Sequence, residues 1–200
     1  MHTGTSTAGA RVGDRREKFL PPFGGSAKNA MPGPVVWITG LSGAGKTTLA
    51  HGLREVLLDR GITPVLLDGD RLRAVVPAVG GYTPADRRRY AMFYGRLARE
   101  LSAQGHFVIC ATISLFHEVH RWNREHLPQY LEVLLRVPVE ELGRRDTKGV
   151  YAASRHDVVG VHQAAEFPSA PDLTIDNFGG TSPGRAVASV VGALEGKGYL

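Results

Sequence analysis

The octapeptide GLSGAGKT, Gly40 to Thr47, follows directly on the β-branched run VVWIT at 35–39 and leads into an amphipathic stretch; no other segment restricts the fold as much. It satisfies G-x-x-x-x-G-K-[ST], a pattern whose glycines let the backbone curl with its N–H groups pointing inward onto phosphate. A helix starting at the end of such a loop adds partial positive charge. Strand, loop, lysine and helix in that order make a plain glycine turn a poor alternative. The expectation is an ATP or GTP site built from Gly40, Leu41, Ser42, Gly43, Ala44, Gly45, Lys46, Thr47 and Thr48. Lys46 reaches the terminal phosphates, and Thr47 offers its hydroxyl to Mg²⁺.

The rest of the chain supplies the partners such a loop needs. Short aliphatic runs at 35–39, 64–68, 106–113, 130–137 and 172–176 alternate with longer helical patterns, the order expected of βαβ units on a parallel sheet. Leu49, Leu53, Val56 and Leu57 share one helical face that Gly61 can terminate. Thr83, Pro84 and Asp86 form a helix start, after which Tyr90, Phe93, Tyr94, Leu97 and Leu101 keep a helical period up to Gly105. The predicted architecture is a three-layer α/β sandwich of the P-loop nucleoside triphosphate hydrolase type, with a parallel central sheet and helices on both faces.

Two hundred residues suit one domain, read as a P-loop kinase domain over 34–200 behind a mobile tail over 1–33. The tail explains much of the charge: residues 1–31 hold five basic and two acidic side chains, +3 of the total +5. A basic nucleic-acid surface is therefore not expected. Arg87, Arg88 and Arg89 suggest a polynucleotide kinase, but successive helical side chains point about 100° apart and form no flat patch. The lone Cys110 excludes an internal disulfide and fits a reducing cytoplasm. No apolar run approaches the roughly 20 residues of a membrane span.

A P-loop alone does not separate kinases from GTPases or motors. No N-K-x-D string for guanine occurs, and Asp146-Thr147-Lys148-Gly149 comes too late in the chain to be a D-x-x-G switch. LLDGDRLR, by contrast, puts Asp68 and Asp70 at the carboxyl edge of the second strand, where ligands bind in such sheets. One carboxylate can deprotonate an attacking hydroxyl while the other orders the waters of Mg²⁺. Retention of both acids argues against a silent nucleotide-binding module. Arg144, Arg145, Lys148 and Arg155 stand in a stretch able to close over a transferring phosphoryl group.

From about Val35 to Asn177 the chain resembles the adenylylsulfate kinases. GLSGAGKT is similar to the family's GLSGSGKS, LLDGDRLR to LDGDNVR, the Ser114 region to ISP, and RRDTKGVY to RDPKGLY. The resemblance implies a Mg-ATP-dependent kinase, homodimeric as a family trait, that phosphorylates the ribose 3′-hydroxyl of a nucleotide such as adenylyl sulfate. Asp70 is then the base with Asp68 beside it. Arg73, Arg87, Ile113, Ser114 and Lys148 hold the acceptor, and Arg145 lies on the ATP side.

The departures gather on the acceptor side. Tyr90 stands where the family has the asparagine of DRxxN, FISPYR becomes Thr112-Ile113-Ser114-Leu115-Phe116-His117, and His162 replaces the acid of a G-I-D segment. ATISLFHE with Trp122-Asn123-Arg124 is similar to a branch of cytidine diphosphoramidate kinases. The third strand is expected to run through Ile113 and a polar helix to enter the acceptor pocket, with Phe116, His117 and Arg121 reading the substrate and Trp122 packing. His117-Glu118-Val119-His120 is one residue short of H-E-x-x-H and lacks a third ligand, so a zinc hydrolase is not expected.

Overall fold

The computed structural model describes residues 31–76, 81, 83–146, 159–160 and 164–200. Five strands form one parallel sheet: β1 (Val35–Thr39), β2 (Val65–Asp68), β3 (Val108–Ala111), β4 (Tyr130–Arg136) and β5 (Leu173–Asp176), in the order β2-β3-β1-β4-β5. All five point the same way, so Thr39, Asp68, Ala111, Arg136 and Asp176 end on one edge. β1 lies centrally, with β3 on one side and β4 on the other, and connections leave it in both directions. Such a reversal opens a crevice at the carboxyl edge.

The three central strands are apolar because helices cover both faces, which removes the alternation an exposed face would impose. On one face α1 (Lys46–Asp59) and α6 (Pro183–Gly196) bury Leu49, Leu53, Leu57, Val190 and Leu194 against Val36, Ile38 and Leu131. Leu53 and Leu57 are fully covered; burial of such a side chain is worth about 1.5–3 kcal/mol. On the other face α3 (Pro84–Ala103) and α4 (His117–His126) pack Tyr90, Tyr94, Ala98 and Val119 onto Trp37 and Cys110. Short helices α2 (Gly69–Val75) and α5 (Val139–Arg145) complete the set.

The helix boundaries follow local chemistry. Thr83 Oγ1 accepts from the Asp86 N–H and Pro84 takes the first turn, a cap worth about 1 kcal/mol. Gly61 turns the chain after α1 at φ 77°, a left-handed value that suits glycine. The apolar period of α3 is imperfect in one place, since Phe93 is exposed. Leu142 to Arg145, read from sequence only as part of a cationic loop, closes α5 instead.

The third strand stops at Ala111, two residues before its expected end. Ser114 takes φ 29°, which no strand residue adopts, and Thr39 Oγ1 holds the Ile113 carbonyl as the chain turns away. The histidines that follow separate. His117 is exposed, whereas His120 is buried and its Nδ1 donates to Glu132 Oε1 at 2.7 Å. Arg124 donates to the other carboxylate oxygen at 2.8 Å, and the Tyr130 hydroxyl donates to Oε1 at 2.9 Å. Trp122 stacks on His126 with ring centroids 4.5 Å apart, a packing role.

Glu132 interrupts an apolar strand and is itself buried. Burial alone pushes its carboxyl up, but the bonds from His120, Arg124 and Tyr130 outweigh that and hold it below the ordinary value of 4.5. Glu132→Ala strands His120 without its partner and is expected to cost about 3 kcal/mol in urea unfolding. A group that titrates lower when folded stabilises fully above its unfolded value and ceases to do so as pH falls through the folded one. The stability gap between wild type and Glu132→Gln should therefore narrow below pH 4.5; a gap that widens there would contradict the ionised state.

Candidate active site

The loop after β1 keeps its shape through glycines. Gly40, Gly43 and Gly45 have φ 144°, 75° and 93°. A β-carbon on Gly40 would lie 2.5 Å from the Leu135 carbonyl oxygen, and one on Gly45 would lie 2.6 Å from Asn177 Nδ2. Leu41 and Ala44 turn their side chains into the core, so they serve the loop through backbone alone. Lys46 Nζ donates to the carbonyls of Gly40 at 2.9 Å and Leu41 at 2.7 Å, which folds the ammonium back over the loop's own curl.

Asp68 ends β2 and is buried, with each carboxylate oxygen committed. Thr47 Oγ1 donates to Oδ2 at 2.8 Å, joining the loop to the neighbouring strand edge. Oδ1 accepts from the N–H groups of Asp70 at 3.0 Å and Arg71 at 3.2 Å, capping α2. This cap presents the Asp70 side chain, which is exposed, to the cleft. Beneath the turn the Tyr94 hydroxyl donates to the Gly69 carbonyl at 3.2 Å. Burial is the main reason this phenol is pushed up to about 12, so it stays a donor across the working pH range.

One cavity of about 1060 Å³ takes in both halves of the site. Single drug-sized ligands occupy roughly 300–1,000 Å³, so the space suits two ligands better than one. Among the described residues its wall holds five cations, Lys46, Arg73, Arg87, Arg88 and Arg145, against three carboxylates, Asp68, Asp70 and Glu166. That excess of positive charge suits anionic ligands.

The phosphate loop, Thr48 and Arg145 bound one half. Arg145 lies at the end of α5, where its Nε donates to Glu141 at 2.9 Å. Arg73, Arg87, Tyr90, Ile113, Ser114 and Phe116 bound the other. The Arg73 guanidinium sits 4.3 Å over the Tyr90 ring and that of Arg88 sits 5.4 Å over Phe116. Of the three successive arginines, Arg89 turns away to Asp86.

Ser114 is the one described non-glycine residue with positive φ, and its hydroxyl lies 2.8 Å from that of Thr112. A serine held in the left-handed region is strained, and such strain gathers at functional sites. His117 and Arg121 do not reach the cleft: α4 begins beside it, and its inward positions Val119, His120 and Asn123 face the core instead. His117 contributes only its backbone N–H, which donates to Glu166 at 2.7 Å and secures the cleft's rim. Lys148, Arg155 and His162, together with the tail through residue 30, lie outside the described residues.

A phosphate loop bonded to a strand-edge carboxylate, at the switch point of a parallel sheet, defines an ATP-dependent phosphotransferase of the P-loop kinase class. The model of the adenylylsulphate kinase family matches residues 32–176, and the chain belongs to that family. The adenylyl-sulfate kinase of Pseudomonas aeruginosa is 36% identical over 167 residues, 80% of this chain and 85% of that one. The cytidine diphosphoramidate kinase of Campylobacter jejuni is 37% identical over 147 residues, 72% of this chain and 85% of its own. The APS kinase of Mycobacterium tuberculosis, solved in complex with AMPPNP and APS, superposes with a TM-score of 0.76 at 32% identity, covering 82% of this chain and 98% of that one.

Proposed function

We propose that the enzyme transfers the γ-phosphoryl group of ATP to the ribose 3′-hydroxyl of a small anionic nucleotide such as adenylyl sulfate. The observation that carries this reading is the single cleft in which Thr47, Asp68 and Asp70 stand between the phosphate loop and an arginine-lined second half. Lys46 leaves the loop carbonyls and pairs with the terminal phosphates. Arg73 and Arg87 hold the acceptor's anionic groups, with Ile113, Ser114 and Phe116 along its flank and Arg145 beside ATP. Asp70 orients the 3′-hydroxyl and takes its proton as the hydroxyl oxygen bonds to the γ-phosphorus. The bond to the β–γ bridging oxygen breaks, and ADP leaves.

Thr47 and Asp68 offer hard oxygen atoms on adjoining elements, a donor set that fits Mg²⁺ directly or through water. When bound, the ion neutralises charge on the phosphate oxygens. The reading assigns the enzyme to the cytoplasm, where a lone buried cysteine stays reduced. No helix among the described residues is long and apolar enough to cross a membrane. A homodimer completes the reading, with light scattering as its check.

A second acceptor, a cytidine diphosphoramidate-like nucleotide, is favoured by the altered wall at Tyr90 and at Ile113 to Phe116; the Campylobacter enzyme matches at 37% identity, level with the 36% of the adenylyl-sulfate kinase of Pseudomonas. ADP release measured with Mg-ATP and a panel of adenylyl sulfate, cytidine diphosphate derivatives and nucleoside monophosphates separates the two. Faster turnover with adenylyl sulfate supports the first reading. Faster turnover with the cytidine compounds supports the second, and no acceptor dependence would remove both.

A further inference from the structure

The donor's position in the cleft follows from the direction of the phosphate loop. Lys46 and Asp70 mark the γ end, so the α-phosphate and the base lie on the other side of the loop, past Thr48. The cleft wall there comes from Arg145, Asn177, Thr181 and Pro183. Among these, Asn177 has a side chain whose orientation is chemically fixed. Its Nδ2 donates to the Ala44 carbonyl at 2.8 Å. That carbonyl only accepts, so the amide cannot be flipped without placing two oxygens against each other. The backbone is fixed too: the Asn177 N–H donates to Arg136 O at 3.1 Å, holding the residue at the end of β5.

With Nδ2 committed, the remaining polar atom is Oδ1, which has no hydrogen-bond partner among the described residues. It is an acceptor at the base end of a nucleotide cleft. Adenine offers an amino group at C6, whereas hypoxanthine and guanine carry a carbonyl oxygen there. Oδ1 can pair with the first and is repelled by the second.

We infer that Asn177 is a specificity-determining residue for the phosphoryl donor: it ties the phosphate loop through Nδ2 and selects ATP over 6-oxopurine triphosphates through Oδ1. The inference rests on the kinase reading, in which a nucleoside triphosphate occupies this loop. The two roles separate by measurement. Losing the tie to Ala44 weakens every triphosphate equally, whereas losing Oδ1 changes the ratio between them, which a purely structural role leaves alone.

The experiment is calorimetric titration of the full chain with ATP and with ITP in Mg²⁺, without acceptor. Wild type is expected to bind ATP at least about tenfold more tightly than ITP, since a carbonyl facing Oδ1 loses a bond and gains repulsion. Asn177→Ala should bind both more weakly and bring the ratio close to one. Asn177→Asp, which keeps an acceptor oxygen but loses the donor to Ala44, should bind both more weakly and keep the preference for ATP. An unchanged ratio in Asn177→Ala, or a wild type that does not discriminate, would overturn the inference while leaving the kinase reading in place. A wild type that binds neither nucleotide would overturn both. Thermal unfolding of each variant confirms that it is folded when titrated.

Discussion

Lys46→Ala abolishes acceptor-dependent ADP release, by about 10³-fold or more, and leaves the thermal unfolding transition within a few degrees of wild type. The loss follows from what the ammonium faces during the reaction. Charge develops on the γ-phosphoryl oxygens, and removing one preorganised donor aimed at such charge typically costs about 10²–10³-fold. Here the donor is also the sole cation on the phosphate loop from Gly40 to Thr47. The fold survives because the lysine's bonds to the carbonyls of Gly40 and Leu41 lie within the loop at the cleft wall. Alanine is moreover the best helix former at this first position of α1. Circular dichroism melting alongside the ADP assay checks both halves, and a variant with unchanged turnover removes the phosphate loop from the mechanism.

Asp70→Asn lowers kcat by about 10²–10⁴-fold, the range general-base catalysis contributes, and changes the KM for ATP by no more than a few fold. The two neighbouring carboxylates divide the work by position. Asp68 is bonded to Thr47 and to the start of α2, so its loss would disturb the ATP side and the helix together. Asp70 enters that cap only through its backbone N–H, which asparagine retains. Its side chain is exposed in the cleft. The amide keeps the size but cannot take a proton at neutral pH. Equal losses in ATP affinity and in turnover would place Asp70 on the donor instead.

Much of this site was legible because each piece obeys a local rule. A parallel sheet buried on both faces makes VVWIT and, apart from Glu132 and the terminal Arg136, YLEVLLR largely apolar, and Thr83-Pro84-Asp86 signals a helix start in any context. Ser182-Pro183 carries the same signal for α6, with Ser182 Oγ accepting from the Arg185 N–H. The residues misplaced in advance depend on distant neighbours. Nothing local tells His117 from His120; the distinction comes from Glu132 on β4, twelve residues beyond His120, which draws one histidine inward. The charge in that otherwise apolar run was the available signal.

Ser114 ends its strand early because Thr39, far away in the chain, holds the Ile113 carbonyl. In the sequence Asn177 marks only the end of a family resemblance. Its role emerges when β5 delivers it to the phosphate loop across 133 residues of chain.

The central claim is that one cleft passes a phosphoryl group from ATP to a ribose 3′-hydroxyl, and the direct measurement is the structure of the product. The enzyme is incubated with Mg-ATP and adenylyl sulfate, and in parallel with the cytidine nucleotide; mass spectrometry and phosphorus NMR then locate the new phosphate. One ADP is expected for each nucleotide phosphorylated on its 3′-hydroxyl, and no product from an acceptor that lacks that hydroxyl. Release of ADP with no phosphate on any acceptor, or a phosphate on a different group, would contradict it.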